Sequence, residues 1–237
     1  ALEVLEGAGY RVIVPTGFIC CGRPLYDYGM LNLAQLFLRR VMRELRDEID
    51  AGVPIVGLEP SCVSVFRDEL KSLFPEDRRA RRLAGQVMLF PELLEREPDR
   101  FDLPELRKKA LVQLHCHHKS VLDKTGEAHV LGRLGVDHEP LDPGCCGMAA
   151  AFGYEKGEKY RVSVAAGERV LLPKVRRAPK SSLVIADGFS CREQIAQGTG
   201  RKALHLAQVV RMAQIQGPEG PKGPLPERGW VTNGLGT

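Results

Sequence analysis

The chain has 237 residues, of which 43% are apolar and 27% charged, the balance of a soluble globular protein and not of a disordered one. A net charge of +4 and an aromatic content of 6% argue against a nucleic-acid-binding protein. No apolar run approaches the roughly 18 residues of a transmembrane helix, and no charged segment followed by an apolar stretch points to secretion. The seven cysteines include two adjacent pairs, so we expect a reduced, cytoplasmic protein in which clustered cysteines serve metal or redox chemistry.

The first part of the chain predicts alternating helices and strands from its hydrophobic periodicity. In chain order these are a helix over 1–9, a strand over 11–15, a loop with CCGRP over 16–24, a helix over 32–50, a strand over 54–58 and a helix ending near 74. Gly9 ends the first helix, since glycine readily takes the left-handed backbone conformation that follows a helix. The strand sequence PIVGL is typical of a strand that is buried on both faces.

The pattern restarts after residues 91–108, which are charged and interrupted by proline and which we interpret as a connection between two modules, 1–90 and 109–216. The elements predicted in the second module are strands over 110–115, 136–141 and 182–186, a loop with CCG at 145–147, and helices within 120–134, over 156–170, after Cys191 and over 203–214. Residues 217–237 are rich in Gly and Pro without periodicity and predict a disordered tail. The predicted fold class is α/β, with two repeated modules that each hold a small, mostly parallel sheet flanked by helices.

The two modules match in the order and spacing of their cysteine motifs. The matched intervals are 11 residues from Gly9 to Cys20 and 10 from Gly135 to Cys145, then 41 from Cys21 to Cys62 and 45 from Cys146 to Cys191. In both modules a predicted strand leads into Ser-Cys. Scattered cysteines that act as small core residues would not give this agreement, and we infer a duplicated module.

Four cysteines of the second module, Cys116, Cys145, Cys146 and Cys191, lie just beyond predicted strands. Because the carboxyl ends of parallel strands meet at one edge of a sheet, we expect these cysteines to converge there. Four thiolates are the ligand set of a 4Fe–4S cluster or of a structural zinc ion. Ligands that are widely spaced and include an adjacent pair favour the cluster, because structural zinc usually takes closely spaced C-x-x-C pairs.

Histidines next to Cys116 keep a zinc site of cysteine and histidine ligands as an alternative. His115 and His117 flank this cysteine, and His118 follows. For His117 we expect a hydrogen bond to a cluster sulfur or a backbone carbonyl, and for His118 exposure to solvent.

The first module has three cysteines, Cys20, Cys21 and Cys62. In the second module Cys116 lies 29 residues before the CC pair, and the equivalent position in the first falls about 9 residues before Ala1. We therefore expect a fourth ligand upstream of Ala1, and an incomplete first site within residues 1–237.

The motifs ICCGRP and EPSC in the first module, and HCH, DPGCCGMAAAFGYE and ADGFSC in the second, resemble those of the cysteine-rich CCG domain family. This is the family of the cysteine-rich subunit of heterodisulfide reductase and of glycolate oxidase iron–sulfur subunits, and the resemblance covers about residues 1–210. It is strongest to the carboxyl-terminal part of fused proteins in which an FAD-linked oxidase domain and a ferredoxin-like domain come first. The resemblance implies an iron–sulfur cluster, 4Fe–4S by type, in each module, with FAD on an upstream domain or a partner.

The sequence departs from the family pattern at Glu59 and Gly188. In heterodisulfide reductase each CCG module holds a noncubane cluster through five cysteines, the last two as C-x-x-C, and these two residues stand where the first cysteine of that pair belongs. With four thiolates in the second module, an ordinary 4Fe–4S cluster or a vestigial site is an alternative to the noncubane cluster. Glu59 is a candidate oxygen ligand of the first site.

The resemblance implies the iron–sulfur electron-transfer portion of an FAD-linked 2-hydroxy-acid dehydrogenase of the lactate or glycolate type, which relays electrons from flavin to a quinone or another acceptor. A thiol/disulfide reductase like heterodisulfide reductase, or a non-redox zinc module, is the alternative. Catalytic residues stay unassigned, because residues 1–237 contain no glycine-rich phosphate-binding loop.

The expected partners are a flavin-containing dehydrogenase domain or subunit and a ferredoxin-like domain, with no nucleic acid. The expected location is cytoplasmic, with peripheral association at the inner face of the membrane left open. Arg23, Lys119 and Arg192 lie beside the cysteine loops, where they either meet acidic substrates or offset the charge of an anionic cluster.

Overall fold

The computed structural model describes residues 1–122, 125–141 and 144–221. Within them the helices are α1 (Leu2–Gly7), α2 (Arg23–Asp27), α3 (Leu31–Glu44), α4 (Arg46–Ala51), α5 (Pro60–Ser64), α6 (Leu70–Leu73), α7 (Arg78–Gln86), α8 (Phe90–Arg96), α9 (Cys116–Val121), α10 (Gly126–Arg133), α11 (Glu158–Glu168), α12 (Leu171–Arg177), α13 (Phe189–Thr199) and α14 (Leu206–Gln216). The strands are β1 (Ile55–Gly57), β2 (Val87–Leu89), β3 (Lys109–Val112), β4 (Asp137–Pro140) and β5 (Leu183–Ile185). A π-helical turn (Val65–Glu69) joins α5 to α6, and short 3-10 turns lie at Pro98–Arg100 and Phe152–Tyr154.

The strands form two small parallel sheets, one in each predicted module, and the α/β fold class is confirmed. In the first sheet β1 pairs with β2, with Ile55 opposite Val87. In the second the order is β4-β3-β5, with Ala110 of the central strand opposite His138 on one side and Leu183 on the other. None of the described helices is long and apolar enough to cross a membrane. The tail predicted from 217 lies outside the described residues from 222 onward.

One apolar cluster joins the two sheets. It includes Val4 of α1, Phe90 and Leu94 of α8, Leu134 after α10 and Val210 of α14, each 1% exposed or less. Residues 90–96 therefore form a buried helix that packs against α10, within a stretch whose charges and prolines predicted a plain connection. The module boundaries at 90 and 109 stay a prediction.

The strand predicted over 11–15 is wrong. These residues have no strand pairing, Ile13 and Val14 are 51% and 66% exposed, and residues 11–19 make no backbone–backbone hydrogen bond within the described part of the chain. The strand predicted over 54–58 does form, as β1, but all three of its residues are only half-buried. Both deviations have the same physical reason: an apolar cavity separates 11–15 from β1, so neither has a strand neighbour on that side.

Candidate functional site

The four cysteines of the second module converge at the carboxyl edge of its sheet. The thiol of Cys116, where α9 begins just after β3, lies close enough to Cys145 for each to shift the pKa of the other, and Cys145 and Cys146 act on each other in the same way. Cys191, in the first turn of α13 after β5, lies close enough to Cys146 to raise the pKa of that thiol. Three separate segments of the chain thus bring four thiols into one row, while the role of these thiols as ligands stays a prediction.

The thiols of Cys116, Cys145 and Cys146 shift each other's pKa values in opposite directions. Interactions with the thiols of Cys116 and Cys146 hold the pKa of Cys145 well below its usual range, and the backbone N–H of Gly147 and the charge of Lys119 act in the same direction. The same interactions, together with burial, raise the pKa values of Cys116 and Cys146. Of these three thiols, Cys145 therefore ionises first, and the ionised form is the one in which cysteine binds metal.

The first module brings two of its three thiols into contact. The Sγ atoms of Cys21 and Cys62 are 2.9 Å apart, and this hydrogen bond lowers the pKa of Cys21 and raises that of Cys62. Cys20 lies close enough for its charge to raise the pKa of Cys62 further. The first site is thus a pair of thiols with a third beside it.

The two CCG turns have the same backbone geometry. Gly22 and Gly147 have φ of +75° and +81°, the left-handed region that favours glycine. Each backbone N–H points back at the sulfur two residues earlier, from Gly22 to Cys20 at 3.5 Å and from Gly147 to Cys145 at 3.3 Å. This shared turn, with its N–H to sulfur contact, supports the interpretation of a duplicated module.

The basic residues beside the cysteine loops are occupied by protein groups. Arg23 is buried, with its Nη1 2.5 Å from the carboxylate of Glu69. Lys119 donates from Nζ to the carbonyl of Gly144 at 3.4 Å, and Arg192 donates to carbonyls at the end of β5. These side chains hold the loops in place, and Lys119 also adds positive charge next to Cys145.

Glu59 ties the two modules together. Its Oε1 accepts hydrogen bonds from the backbone and side chain of Ser61, at 3.2 and 2.8 Å, and so caps α5. Its Oε2 accepts a hydrogen bond from the backbone N–H of Phe189 at 2.6 Å, where α13 begins in the other module. Both carboxylate oxygens thus already bind N–H or O–H groups of the protein, and the role of Glu59 as an oxygen ligand stays a prediction.

The ring of His115 fills the space beside Gly188. A Cβ at Gly188 would lie 2.3 Å from Cδ2 of His115, so no cysteine fits there while the ring stays in place. The Nδ1 atom of His115 accepts the backbone N–H of His117 at 3.2 Å, and desolvation lowers the pKa of His115 to about 4. His115 is therefore neutral at pH 7 and serves as a buried cap of α9.

Of the other two histidines of this segment, His117 is half-buried and His118 is buried. His117 stacks on His115, with ring centroids 5.2 Å apart. The exposure to solvent predicted for His118 is wrong, since this residue is 1% exposed. The reason is that α9 packs directly against α5, a contact between modules that the local sequence does not encode.

The packing of α5 on α9 places the two thiol groups next to each other. Cys62 lies on α5 and Cys116 begins α9, and the two helices are in direct contact. The Glu59 carboxylate and the His115 ring lie within electrostatic reach of each other at this junction, since Glu59 acts to raise the pKa of His115. The two sites are therefore adjacent parts of one region of the molecule.

Comparison with known protein families gives a match within the first predicted module. Residues 1–67 match the family model described as a cysteine-rich domain, CCG. The resemblance stated from the motifs is thereby confirmed.

The chain is also similar over most of its length to three proteins of related description. It is 28% identical over 214 residues to D-2-hydroxyglutarate dehydrogenase of Pseudomonas putida, covering 88% of this chain and 20% of that protein. It is 26% identical over 219 residues to a subunit of the anaerobic glycerol-3-phosphate dehydrogenase of Escherichia coli K12, covering 90% of this chain and 54% of that protein. It is 26% identical over 226 residues to lactate utilization protein A of Bacillus subtilis, covering 88% and 90%. The chain thus spans about a fifth of the length of the first relative and about half of the length of the second. The names of these relatives agree with the oxidoreductase class that the resemblance implies.

The donor chemistry of the two CCG sites fits an iron–sulfur cluster or zinc, whereas the present spacing of the Cys21 and Cys62 sulfurs is too short for either. All seven cysteines are free thiols, the soft ligands of such clusters and of zinc. Across the described ranges, no three or more His, Cys, Asp or Glu side chains are grouped so that they could hold a single metal ion. Tetrahedral zinc with thiolates at 2.3 Å separates the sulfurs by about 3.8 Å, so Cys21 and Cys62, now 2.9 Å apart, would have to move apart.

One side chain that supports the second CCG loop is missing from the sequence-based set of site residues. Gln113 is fully buried and donates from Nε2 to the carbonyl of Gly144 at 3.2 Å, which anchors the start of the CCG turn. The signal was present in the sequence, because a glutamine inside the apolar strand sequence ALVQL needs a buried partner. The Glu59 to Phe189 contact had no such signal, since it joins residues 130 positions apart.

Proposed function

We propose that the chain is the iron–sulfur electron-transfer portion of a 2-hydroxy-acid dehydrogenase whose FAD lies on another domain or subunit. The observation that carries the proposal is the row of four thiols at the sheet edge, next to the α5–α9 contact that brings the thiols of the first module near. The names of the relatives support the reaction class, since D-2-hydroxyglutarate and glycerol-3-phosphate dehydrogenases both oxidise a hydroxyl group.

In this proposal the thiolates of Cys116, Cys145, Cys146 and Cys191 hold a 4Fe–4S cluster in the second module. The bound cluster supplies one-electron transfer at a potential set by burial and by hydrogen bonds to sulfur. The chain contributes the N–H of Gly147, which donates to the Cys145 sulfur and favours its anionic form.

In the first module Cys20, Cys21 and Cys62 hold a second cluster together with a ligand from outside residues 1–237. The α5–α9 contact keeps the two sites near each other. That arrangement suits a relay in which electrons enter at one site and leave from the other. The donor is the flavin of the dehydrogenase domain or subunit, reached directly or through a ferredoxin-like domain, and the acceptor is a quinone or another carrier. We place the protein in the cytoplasm, at the inner face of the membrane when the acceptor is a quinone, because seven unpaired thiols need a reducing compartment.

Anaerobic reconstitution of the 237-residue chain with ferrous iron and sulfide tests the proposal. We expect about four irons and matching acid-labile sulfide for the second module, a visible absorption that bleaches on reduction by photoreduced FAD, and a paramagnetic reduced state. Cys191→Ser should remove this signal, and the neighbouring control Ser190→Ala should retain it. Stoichiometric zinc with no iron uptake would instead support the structural zinc module, and reduction of a disulfide by the reduced chain would support the reductase.

A further inference from the structure

The first module contains an apolar cavity of about 620 Å3 beside its sheet. It lies between residues 10–15 on one side and residues 53–58, which include β1, on the other. Apolar side chains dominate its lining, among them Leu5, Ile13, Val14 and Val56. A surface of this kind is costly to leave in contact with water, which points to an occupant.

The backbone on both sides of the cavity lacks partners. Among residues 1–122, 125–141 and 144–221, β1 pairs only with β2 and so has one free edge. Residues 11–19 make no backbone–backbone hydrogen bond within the ranges that the structure covers, although 11–15 have the composition of a strand. Backbone N–H and C=O groups in an apolar setting need hydrogen-bond partners, and an added strand supplies them on both sides at once.

The second module shows what fills the equivalent place. There β4 follows Gly135 as residues 11–15 follow Gly9, and β5 leads into Cys191 as β1 leads into Cys62. Between β4 and β5 lies the central strand β3, parallel to both. The cavity of the first module occupies the position of β3.

We propose that this cavity seats a parallel β-strand, an apolar extended segment of about the length of β3, which comes from the same polypeptide upstream of Ala1. The direction follows from the repeat, because β3 precedes β4 along the chain, with α10 between them as α1 precedes residues 11–15. Seated there, the strand converts 11–15 into an edge strand and pairs the free edge of β1. The proposal concerns the sheet alone and holds whether or not the thiols bind a metal.

A graft of the chain's own sequence tests this placement. Residues 108–124 (KKALVQLHCHHKSVLDK), fused to the amino terminus at Ala1 with the copied cysteine changed to serine, supply a surrogate central strand without adding a ligand. We expect strong hydrogen-exchange protection of the amides of residues 12–14 and 55–57, and a rise in the unfolding midpoint of at least ~4 °C. Unchanged exchange in the grafted chain would overturn the proposal.

Two matched comparisons separate strand addition from other effects of the graft. A graft whose copy of Val112 is replaced by proline loses a ladder N–H and should lose most of the protection. Ile13→Asp, in the cavity lining, should also abolish the gain, whereas Leu36→Asp, on an exposed part of α3 outside the cavity, should leave it unchanged. Equal gains with the proline graft would contradict a paired strand.

Two further outcomes would assign the cavity to another occupant. If the free peptide KKALVQL protects the same amides at micromolar concentration while the graft does not, the strand comes from a partner and not from upstream. If an apolar dye such as anilinonaphthalene sulfonate binds with equal affinity to the grafted and ungrafted chains, the cavity is a small-molecule site that no strand fills.

Discussion

The two CCG turns have the same backbone conformation but differ in the side chains that pack against them. Both turns use a left-handed glycine whose N–H points at a cysteine sulfur, and the residue after each glycine is buried. In the first module that residue is Arg23, which is paired with Glu69. In the second it is Met148, which packs in an apolar cluster with Cys146 and Cys191. The turn is therefore a property of the motif, whereas the means of stabilising it is particular to each module.

Replacing Arg23 with methionine tests whether apolar packing, as at Met148, can substitute for the buried ion pair behind the first turn. We expect the largest loss of stability for this variant. The variant leaves Glu69, whose side chain is 12% exposed, as an unpaired carboxylate among buried groups. Loss of one partner of a buried ion pair costs about 3–5 kcal/mol, and we expect that decrease in the free energy of unfolding from urea denaturation.

The double variant Arg23→Met, Glu69→Gln is the matched control. It removes both charges, and we expect it to recover at least half of the loss, since apolar replacement of a whole buried pair is often tolerated. If the single and double variants are equally destabilised, the first turn needs the shape or hydrogen bonds of Arg23 and not its charge.

Alanine substitutions at Gly22 and Gly147 should destabilise the protein to different extents, because the space around the two glycines differs. At Gly147 the new Cβ would lie 2.0 Å from the carbonyl oxygen of Ser163, whereas at Gly22 the nearest atom, Cα of Ala34, is 3.4 Å away. Both variants strain a positive φ, at about 1 kcal/mol, and the clash brings the cost of Gly147→Ala to about 3 kcal/mol. Gly29→Ala, with φ +73° and open space around it, controls for the strain alone. Equal unfolding energies for the two turn variants would show that the Ser163 segment yields easily.

The sequence was sufficient to predict the features that recur in both modules, but it was insufficient to predict the contacts between the modules. The spacing of the cysteines and the strand patterns predicted the two modules and the convergence of Cys116 with the later cysteines, because strand ends and tight turns are local features. The strand over 11–15 failed for a non-local reason, since a strand forms only beside a partner.

The junction between modules was hidden by its polar composition. Glu92, Glu95 and Arg96 made residues 91–96 resemble a connection, yet Phe90 and Leu93 on the same helix are almost fully buried. The spacing of Phe90, Leu93 and Leu94 is helical and was the available signal. Nothing in the sequence indicates which helices of the two modules face each other.

Glu59→Gln tests that junction directly. The substitution keeps the size of the side chain but leaves one fewer acceptor oxygen for Ser61 and Phe189 and removes the charge that strengthens both contacts. We expect a loss of about 2 kcal/mol in unfolding free energy, with faster hydrogen exchange at the Phe189 amide. The exposed control Glu76→Gln should change neither quantity, and an unaltered Phe189 amide in the Glu59 variant would contradict the link between modules.

The smallest expected change in stability concerns Glu127, a buried carboxyl group of the second module. Glu127 on α10 is 1% exposed, and desolvation raises its pKa, with the nearby Asp187 carboxylate acting in the same direction. Because the folded state holds this proton more tightly than the unfolded chain, its contribution to stability is complete below about pH 4.3 and is lost as the pH rises through the folded-state pKa. Glu127→Gln, which stays neutral, should therefore match the parent chain near pH 4 and exceed it by at least about 1 kcal/mol at pH 8. The exposed control Glu158→Gln should give the same difference from the parent at both pH values. If the stability advantage of Glu127→Gln does not grow with pH, the Glu127 carboxyl finds a compensating partner when it ionises, and the second module tolerates a buried charge as the first does at Arg23.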